Sequence, residues 1–171
     1  ATAEISRSQV WQWLHNPHAR LDDGRAITVE LFREVKDDVL ADLQARGHSL
    51  QRFGPLADQP AHWPAVARQV AEAVASGAAD EGILFCWTGT GVSLAANKVP
   101  GIRAALCDDA ETARGARLWN NANILCFSLR RTSQIIAKEI LDAWFATTYQ
   151  PNETDDTCLA QVAALESDYR R

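Results

Sequence analysis

Near the middle of the chain stands the run Ile83-Leu84-Phe85-Cys86-Trp87-Thr88-Gly89-Thr90-Gly91. Its first four residues are continuously apolar, as a strand buried on both faces of a parallel sheet requires. The glycines that follow let the backbone turn sharply, and a helical pattern begins at about Val92. This order of strand, glycine turn and helix predicts one βα unit of an α/β domain.

The same alternation continues over residues 47–149. Short apolar runs predict strands at 49–53, 83–86, 102–107 and 124–127. Helical patterns run from Pro64 to Gly77, over 92–98, from a cap at Asp108 or Asp109 to Trp119, from a cap at Thr132 or Ser133 through Trp144, and over 158–169. We therefore expect an α/β fold, a doubly wound Rossmann-like parallel sheet with helices on both faces.

The first residues of the chain do not follow this alternation. Ser6 to Leu14 is typical of a capped helix, and a second helix is predicted from about Thr28 to Arg46. Since no clear strand precedes that second helix, we expect an N-terminal helical segment, residues 1–35, in place of the usual first strand. The α/β domain would cover 36–149, and a polar connection with a terminal helix would cover 150–171.

Composition sets the class of protein. The 171 residues are 47% hydrophobic and 23% charged, as expected for one soluble globular domain. A net charge of -5 without a basic cluster argues against nucleic acid as a partner. No run reaches the roughly 20 apolar residues of a membrane span, and no signal peptide pattern is present. The four cysteines show no paired spacing, which favours reduced thiols and a cytoplasmic protein.

The turn from Cys86 to Gly91 is a candidate anion site. Amides at such a turn, aided by the start of a helix, converge on one point and favour negative charge there. The sequence lacks the Gly-Lys-Ser/Thr of a nucleotide-binding P-loop and the full dinucleotide fingerprint. The alternative is a tight connection that binds nothing.

Cys86 adds a reactive group to this turn. Convergent amides favour the thiolate, which can take a proton from a carbon next to a carbonyl while the amides stabilise the enediolate. That chemistry is aldose–ketose isomerisation. The alternative is an inert buried thiol, which is the commoner state of a cysteine at the end of an apolar run.

A family resemblance supports the catalytic interpretation. Gly82 to Ala104 resembles the signature of the B-type ribose-phosphate isomerase and galactose-6-phosphate isomerase family, and the resemblance extends from about Lys36 to Arg171. It implies a phosphorylated sugar as substrate, a place in pentose phosphate metabolism, no cofactor and a homodimer. Further matches are Gly47-His48, Phe53-Gly54-Pro55, Asn120 to Leu125 and Ala137 to Trp144.

The resemblance also implies roles for individual residues. Cys86 would be the base that moves the proton between C1 and C2, Asn120 would contact the sugar, and Arg130 would bind the phosphate. The developing enediolate would be held by the loop after the base: the Thr88 side chain and the amides of Gly89, Thr90 and Gly91.

Three departures from the family pattern keep a second function open. No Asp-His pair precedes Lys36, Trp119 stands where a ring-opening histidine is expected, and residues 157–161 lack an expected basic residue. The alternative function is a non-catalytic module of the same fold that binds a sugar phosphate or another anion. His62 is either a substitute ring-opening group or an exposed residue at a helix start.

Residues 1–36 resemble a different family, the C-terminal helical part of malate synthase. The resemblance rests on Ala1 to Ser8, on Trp11-Gln12-Trp13-Leu14 and on Leu21 to Arg25. It suggests a fusion in which a malate-synthase-like helical piece replaces the first strand of the isomerase.

Overall fold

The computed structural model describes residues 30–169. It consists of two units, divided after Leu50, that are described one at a time. The helix predicted over 6–14 and the motifs that carry the resemblance to malate synthase, which end at Arg25, lie outside the described residues. The domain boundary at residue 36 stays a prediction.

The first unit contains helix α1, Glu30–Ala45, close to the predicted helix. Gly47 ends it in a left-handed conformation (φ 87°). Its amide donates to Gln44 O at 3.0 Å, and the His48 amide donates to Leu43 O at 3.0 Å. These bonds satisfy carbonyls that the end of a helix leaves free.

The second unit is built on three parallel strands in the order β1-β3-β2. Their bounds are Gly82–Cys86 (β1), Ala104–Leu106 (β2) and Ile124–Ser128 (β3). Ile124 pairs with both Gly82 and Ala104, so the three strands start level. Their last residues therefore share one border, which we call the carboxyl edge, and their first residues share the amino edge.

Helices cover both sides of this sheet, which confirms the predicted α/β fold. Helix α2 packs with α3, and α4 packs with α5. All five residues of β3 are buried between them. The helices are α2 Trp63–Ala75, α3 Thr90–Ala96, α4 Ala110–Asn120, α5 Gln134–Ala146 and α6 Glu153–Asp168.

Side-chain caps fix where α4 and α5 begin. Asp109 accepts from the Thr112 amide at 2.7 Å, and Ser133 accepts from the Ile136 amide at 3.3 Å. Each is one of the two caps that the sequence offered for its helix. None of the described helices is both long and apolar enough to cross a membrane.

A polar network joins the helices at the amino edge. The Glu81 carboxylate accepts from Arg117 Nη2 at 2.7 Å and from Trp144 Nε1 at 2.6 Å. The Arg117 guanidinium also lies 4.9 Å from the centre of the Trp144 ring. This network connects the residue before β1 to both α4 and α5.

Three predicted elements need correction. The strand predicted over 49–53 is wrong, because this polar stretch pairs with no described strand and leads into a 3-10 turn at Gly54–Ala57. Strand β2 is shorter than 102–107, because the Ile102 amide bonds back to Val99 O at 3.2 Å in a turn. Helix α6 begins at Glu153 rather than near 158, since Asn152 accepts from the Asp155 amide at 2.9 Å.

Candidate active site

Cys86 is the last residue of β1 and lies beside Ser128 on the central strand. Its carbonyl accepts from the Leu129 amide at 2.9 Å, so the pairing of the two chain segments continues beyond the strands. The side chain is half-buried. This position at the carboxyl edge is where parallel α/β sheets bind their ligands.

The backbone after Cys86 is held by residues that follow β3. The Trp87 carbonyl accepts from the Arg130 amide at 2.9 Å and from Ser128 Oγ at 3.2 Å. Gly89 then adopts a left-handed conformation (φ 76°). A Cβ atom there would lie 2.3 Å from Leu106 Cδ1, so only glycine fits this turn without rearrangement.

The start of α3 supplies hydrogen-bond donors. The Ser93 amide donates to Gly89 O at 3.2 Å as the helix begins, and the amides of the preceding positions have no carbonyl one turn earlier to bond. Thr88 Oγ1 and Thr90 Oγ1 are 2.8 Å apart, and both residues are exposed. Donors and hydroxyls are thus concentrated two to six residues after the thiol, where they favour a negatively charged oxygen.

The other cysteines differ from Cys86 in exposure. Burial raises the pKa of Cys107 to about 12, with the charges of Asp109 and Asp108 adding to the effect. Burial likewise raises the pKa of Cys126 to about 12. Both therefore remain neutral thiols near pH 7, and Cys158 is exposed on α6, away from the glycine turn. Cys86 is the half-buried cysteine at the carboxyl edge.

Arg130 is brought next to the same turn. The hydrogen bond from its amide to Trp87 O fixes its backbone beside Trp87, the residue that follows Cys86. Its side chain is exposed. The structure therefore brings a thiol, a glycine turn and an exposed arginine to one edge of the sheet. This combination suits a small substrate with a carbonyl at one end and an anionic group at the other.

Comparison with known proteins identifies the family of the chain. The family model for ribose/galactose isomerases matches residues 30–162. The chain belongs to this family.

Individual members of the ribose/galactose isomerase family are similar over most of their length. Ribose-5-phosphate isomerase B of Escherichia coli is 40% identical over 116 residues, which cover 68% of this chain and 78% of that protein. D-erythrulose-4-phosphate isomerase of Pectobacterium atrosepticum is 36% identical over 119 residues, 68% of this chain and 78% of that protein. The solved ribose-5-phosphate isomerase B of Clostridium thermocellum is 37% identical and superposes with a TM-score of 0.75, covering 80% of this chain and 92% of that one.

One site residue expected from the isomerase family lies elsewhere. Asn120 is the last residue of α4, and the chain then enters β3 at the amino edge, where Asn123 O accepts from the Gly82 amide at 3.0 Å. Gly82 and Cys86 stand at opposite ends of β1, about 13 Å apart at the usual rise per residue. The fold therefore does not bring Asn120 to the thiol within one chain. Its neighbour Trp119 is 59% exposed.

The structure of this isomerase-family chain also shows contacts that sequence reasoning missed. The Trp63 ring, 47% exposed, lies against Gly91, where a Cβ atom would be 3.3 Å from its Cε3. Arg131 Nη1 lies 3.2 Å from Asp108 Oδ2, between the residues that follow β3 and those that follow β2. A search for charged residues just after each predicted strand would have found both partners of this ion pair.

Proposed function

We propose that the chain interconverts the aldose and ketose forms of a phosphorylated sugar through a cis-enediolate, with Cys86 as the base. The observation that carries this proposal is the placement of Cys86 at the carboxyl edge, directly before a turn that concentrates hydrogen-bond donors. Membership of the ribose/galactose isomerase family supports it. Arg130, beside the same turn, is the candidate partner of the phosphate.

The proposed reaction moves two hydrogens and needs no external oxidant. The Cys86 thiolate takes the proton from C2 of the aldose, and the electron pair moves toward C1 to form the enediolate. The negative oxygen is held by the Thr88 side chain and the amides of Gly89, Thr90 and Gly91. A proton passes from the C2 oxygen to the C1 oxygen, and the Cys86 thiol returns its proton to C1 to give the ketose.

The substrate class follows from relatives and from charge. The similar proteins act, by their names, on ribose 5-phosphate and D-erythrulose 4-phosphate. In both compounds the phosphate is on the last carbon, far from the carbonyl end. This arrangement matches a site with its thiol on β1 and its guanidinium beyond β3, so pentose and tetrose phosphates are the substrates to examine first.

Solvent-deuterium exchange tests the proposal, at C2 of the aldose ribose 5-phosphate and at C1 of the ketose D-erythrulose 4-phosphate. The wild-type chain should exchange these hydrogens, and Cys86→Ala should reduce exchange about 10²- to 10⁴-fold, the usual contribution of a general base. Cys158→Ala is the matched control, because it removes an exposed thiol on α6. Exchange that survives Cys86→Ala would rule out this base. Thermal stabilisation by the sugar phosphate without any exchange would favour the non-catalytic binding module.

We further propose that the chain works as a homodimer whose sites combine residues of two copies. The support is the distance between Asn120 and Cys86, since a small sugar phosphate cannot reach both edges of one sheet. A symmetric dimer can place the amino edge of one copy at the carboxyl edge of the other. Trp119 and the α6 residues Val162 and Leu165 are exposed apolar side chains that a second copy would cover.

Mixing two inactive variants tests the shared site. Cys86→Ala and Asn120→Ala should each lose most activity, and a mixture refolded together should recover about a quarter of the wild-type value. Half of the dimers are then hybrids, and each hybrid has one intact site of two. If both residues served one chain's own site, the mixture would stay inactive.

A further inference from the structure

A second arginine lies beside the one assigned to the phosphate. Arg130 and Arg131 follow the central strand at the carboxyl edge, and both side chains are exposed. The Arg130 backbone is fixed by the hydrogen bond that its amide donates to Trp87 O at 2.9 Å. The Arg131 and Thr132 amides donate to Ser128 O at 3.1 and 2.9 Å. These bonds make a tight turn that holds the two arginines next to the glycine loop.

The Arg131 side chain is engaged by an acid from the neighbouring strand. Its Nη1 lies 3.2 Å from Asp108 Oδ2, with exposed side-chain fractions of 68% for the arginine and 32% for the aspartate. Asp108 follows β2, which pairs with β3 in register, so both residues leave the sheet at the same edge. An exposed ion pair of this kind contributes little to stability. Its effect would be to restrict where the guanidinium points.

Two buried polar atoms at this edge have no hydrogen-bond partner. In the part of the chain that the structure describes, Asp108 Oδ1 and Thr132 Oγ1 are the buried side-chain atoms in this state. Thr132 is 5% exposed. Unpartnered buried polar groups cost free energy, so each one in a native structure calls for a partner, such as a water molecule, an ion or a bound ligand. Here they flank Arg131, one on each of the two segments that the ion pair joins.

We propose that Arg131 is a second anion-binding residue for the phosphate of the substrate, and that Asp108 is a positioning residue that orients it. A guanidinium has five N–H donors, and the contact with Asp108 leaves donors free for phosphate oxygens. Asp108 has one carboxylate oxygen buried and the other in contact with Arg131, so it restricts the Arg131 guanidinium to the carboxyl edge. The choice of phosphate as the anion rests on the proposed function.

Inorganic phosphate is the probe for this site, measured by calorimetric titration of the full chain. Arg131→Gln should weaken phosphate binding about tenfold, as expected for loss of a charged hydrogen bond. Arg131→Lys should recover part of this loss, because lysine keeps the charge without the planar fork. The matched control is Arg68→Gln, which breaks an exposed pair with Glu72 (2.6 Å) within α2. If Arg131→Gln changes the affinity no more than Arg68→Gln does, the proposal is wrong.

The role of Asp108 needs a readout that a merely structural residue would not change. Asp108→Ala should weaken phosphate binding about threefold, and the double variant with Arg131→Gln should bind no more weakly than Arg131→Gln alone, because the aspartate acts through the arginine. Asp108→Asn, which keeps an acceptor, should lie between wild type and Asp108→Ala. Tighter phosphate binding by Asp108→Ala would mean that the carboxylate only repels the anion, and would overturn the positioning role.

Turnover separates this inference from the proposed function. If the wild-type chain isomerises a sugar phosphate, Arg131→Gln should raise its KM with little change in kcat, and an unchanged KM would contradict the inference alone. If the wild-type chain shows no exchange, the proposed function fails. The loss of phosphate affinity in Arg131→Gln would then still support the anion site.

Discussion

At the scale of single residues, Gly89 determines the geometry of the turn that follows Cys86. Its φ of 76° is in the region that side chains disfavour. Its missing Cβ also leaves room for Leu106 Cδ1, which would otherwise be 2.3 Å away. Gly101 has a similar φ of 81°, but a Cβ atom added there would have no neighbour within 4 Å. Comparing substitutions at these two glycines therefore separates the effect of backbone strain from the effect of crowding.

Gly89→Ala should lower the free energy of unfolding by about 2–4 kcal/mol, the sum of left-handed strain and overpacking. Gly101→Ala should cost about 1 kcal/mol, from strain alone. Denaturant titration of both variants measures the difference. Equal losses would show that the Leu106 contact relaxes at no cost.

The cysteines give a prediction about pH. Cys107 and Cys126 have a pKa raised to about 12 by burial, so they should resist alkylation at pH 8 while Cys86 and Cys158 react. Because these folded pKa values lie above the unfolded value of about 9, the thiols stabilise the fold below pH 9 and that stability is lost between pH 9 and 12. Mass spectrometry after alkylation, and unfolding curves on both sides of pH 9, check the two statements. Early labelling of Cys107 would contradict them.

The sequence predicted the residues of the turn better than the contacts around it. Cys86 and the glycines form one continuous run, and their chemistry depends on local order. The Asp108–Arg131 pair joins residues 23 positions apart, and its formation depends on the register of β2 against β3. A single sequence does not specify that register, although the charges after each strand are visible in it.

At the scale of elements, β2 lies at the edge of the described sheet, and an asparagine side chain bonds to its outer border. Asn97 Nδ2 donates to Ala104 O at 2.8 Å, and Asn97 Oδ1 accepts from the Ala104 amide at 2.8 Å. The asparagine thus takes the place of a neighbouring strand for one residue. Exposed edges promote pairing with other chains, so this contact protects the sheet as well as α3, which ends at that asparagine.

Asn97→Ala should destabilise the chain by about 1–2 kcal/mol, the value of two hydrogen bonds between a side chain and the backbone at an exposed position. Gln69→Ala, at an exposed position of α2, is the control and should change stability by less than about 0.5 kcal/mol. Urea unfolding of the two variants gives the comparison. A neutral Asn97→Ala would mean that water replaces the side chain.

The starts of helices were predicted where the capping residue lies directly before an apolar periodic segment, and were missed where it does not. Asp109 and Ser133 lie directly before apolar periodic segments, so the starts of α4 and α5 followed from the sequence. The start of α6 was placed too late, because its first turn is acidic rather than apolar. Acidic residues there favour the positive end of the helix.

At the scale of the whole molecule, the polar network that joins the helices and the candidate site lie at opposite edges of the sheet. The Glu81–Arg117–Trp144 network lies at the amino edge, and the side chains of the ion pair are 26% and 16% exposed. Arg117 Nη1 also donates to Ala122 O at 2.6 Å. The network ties α4 and α5 to the start of β1 without approaching Cys86.

Glu81→Gln should therefore lower the free energy of unfolding by about 1–3 kcal/mol while the KM for the sugar phosphate stays the same. Thermal unfolding and steady-state kinetics on the same preparation test both parts. A changed KM would show that the amino edge influences the site. In the proposed dimer, that influence would pass through Asn120 of the second copy, which is not one of the residues of the network.

The fold class followed from periodicity over residues 47–149, because alternating βα units have few stable arrangements. The separation of Asn120 from Cys86 did not follow from matching motifs, since motif order is independent of which edge each residue reaches. The direction of α4, which runs from the end of β2 back to the start of β3, places Asn120 at the amino edge.

Helix α6 has no buried residue, and its contacts include a hydrogen bond from the Gly101 amide to Glu166 at 2.9 Å and one from Tyr149 to Asp156 at 2.6 Å. In a lone chain, a protease should nick the segment before this helix while the sheet stays folded. In a dimer that covers the helix, cleavage should slow as the protein is concentrated. The rate of nicking against dilution would therefore report the strength of assembly without any substrate.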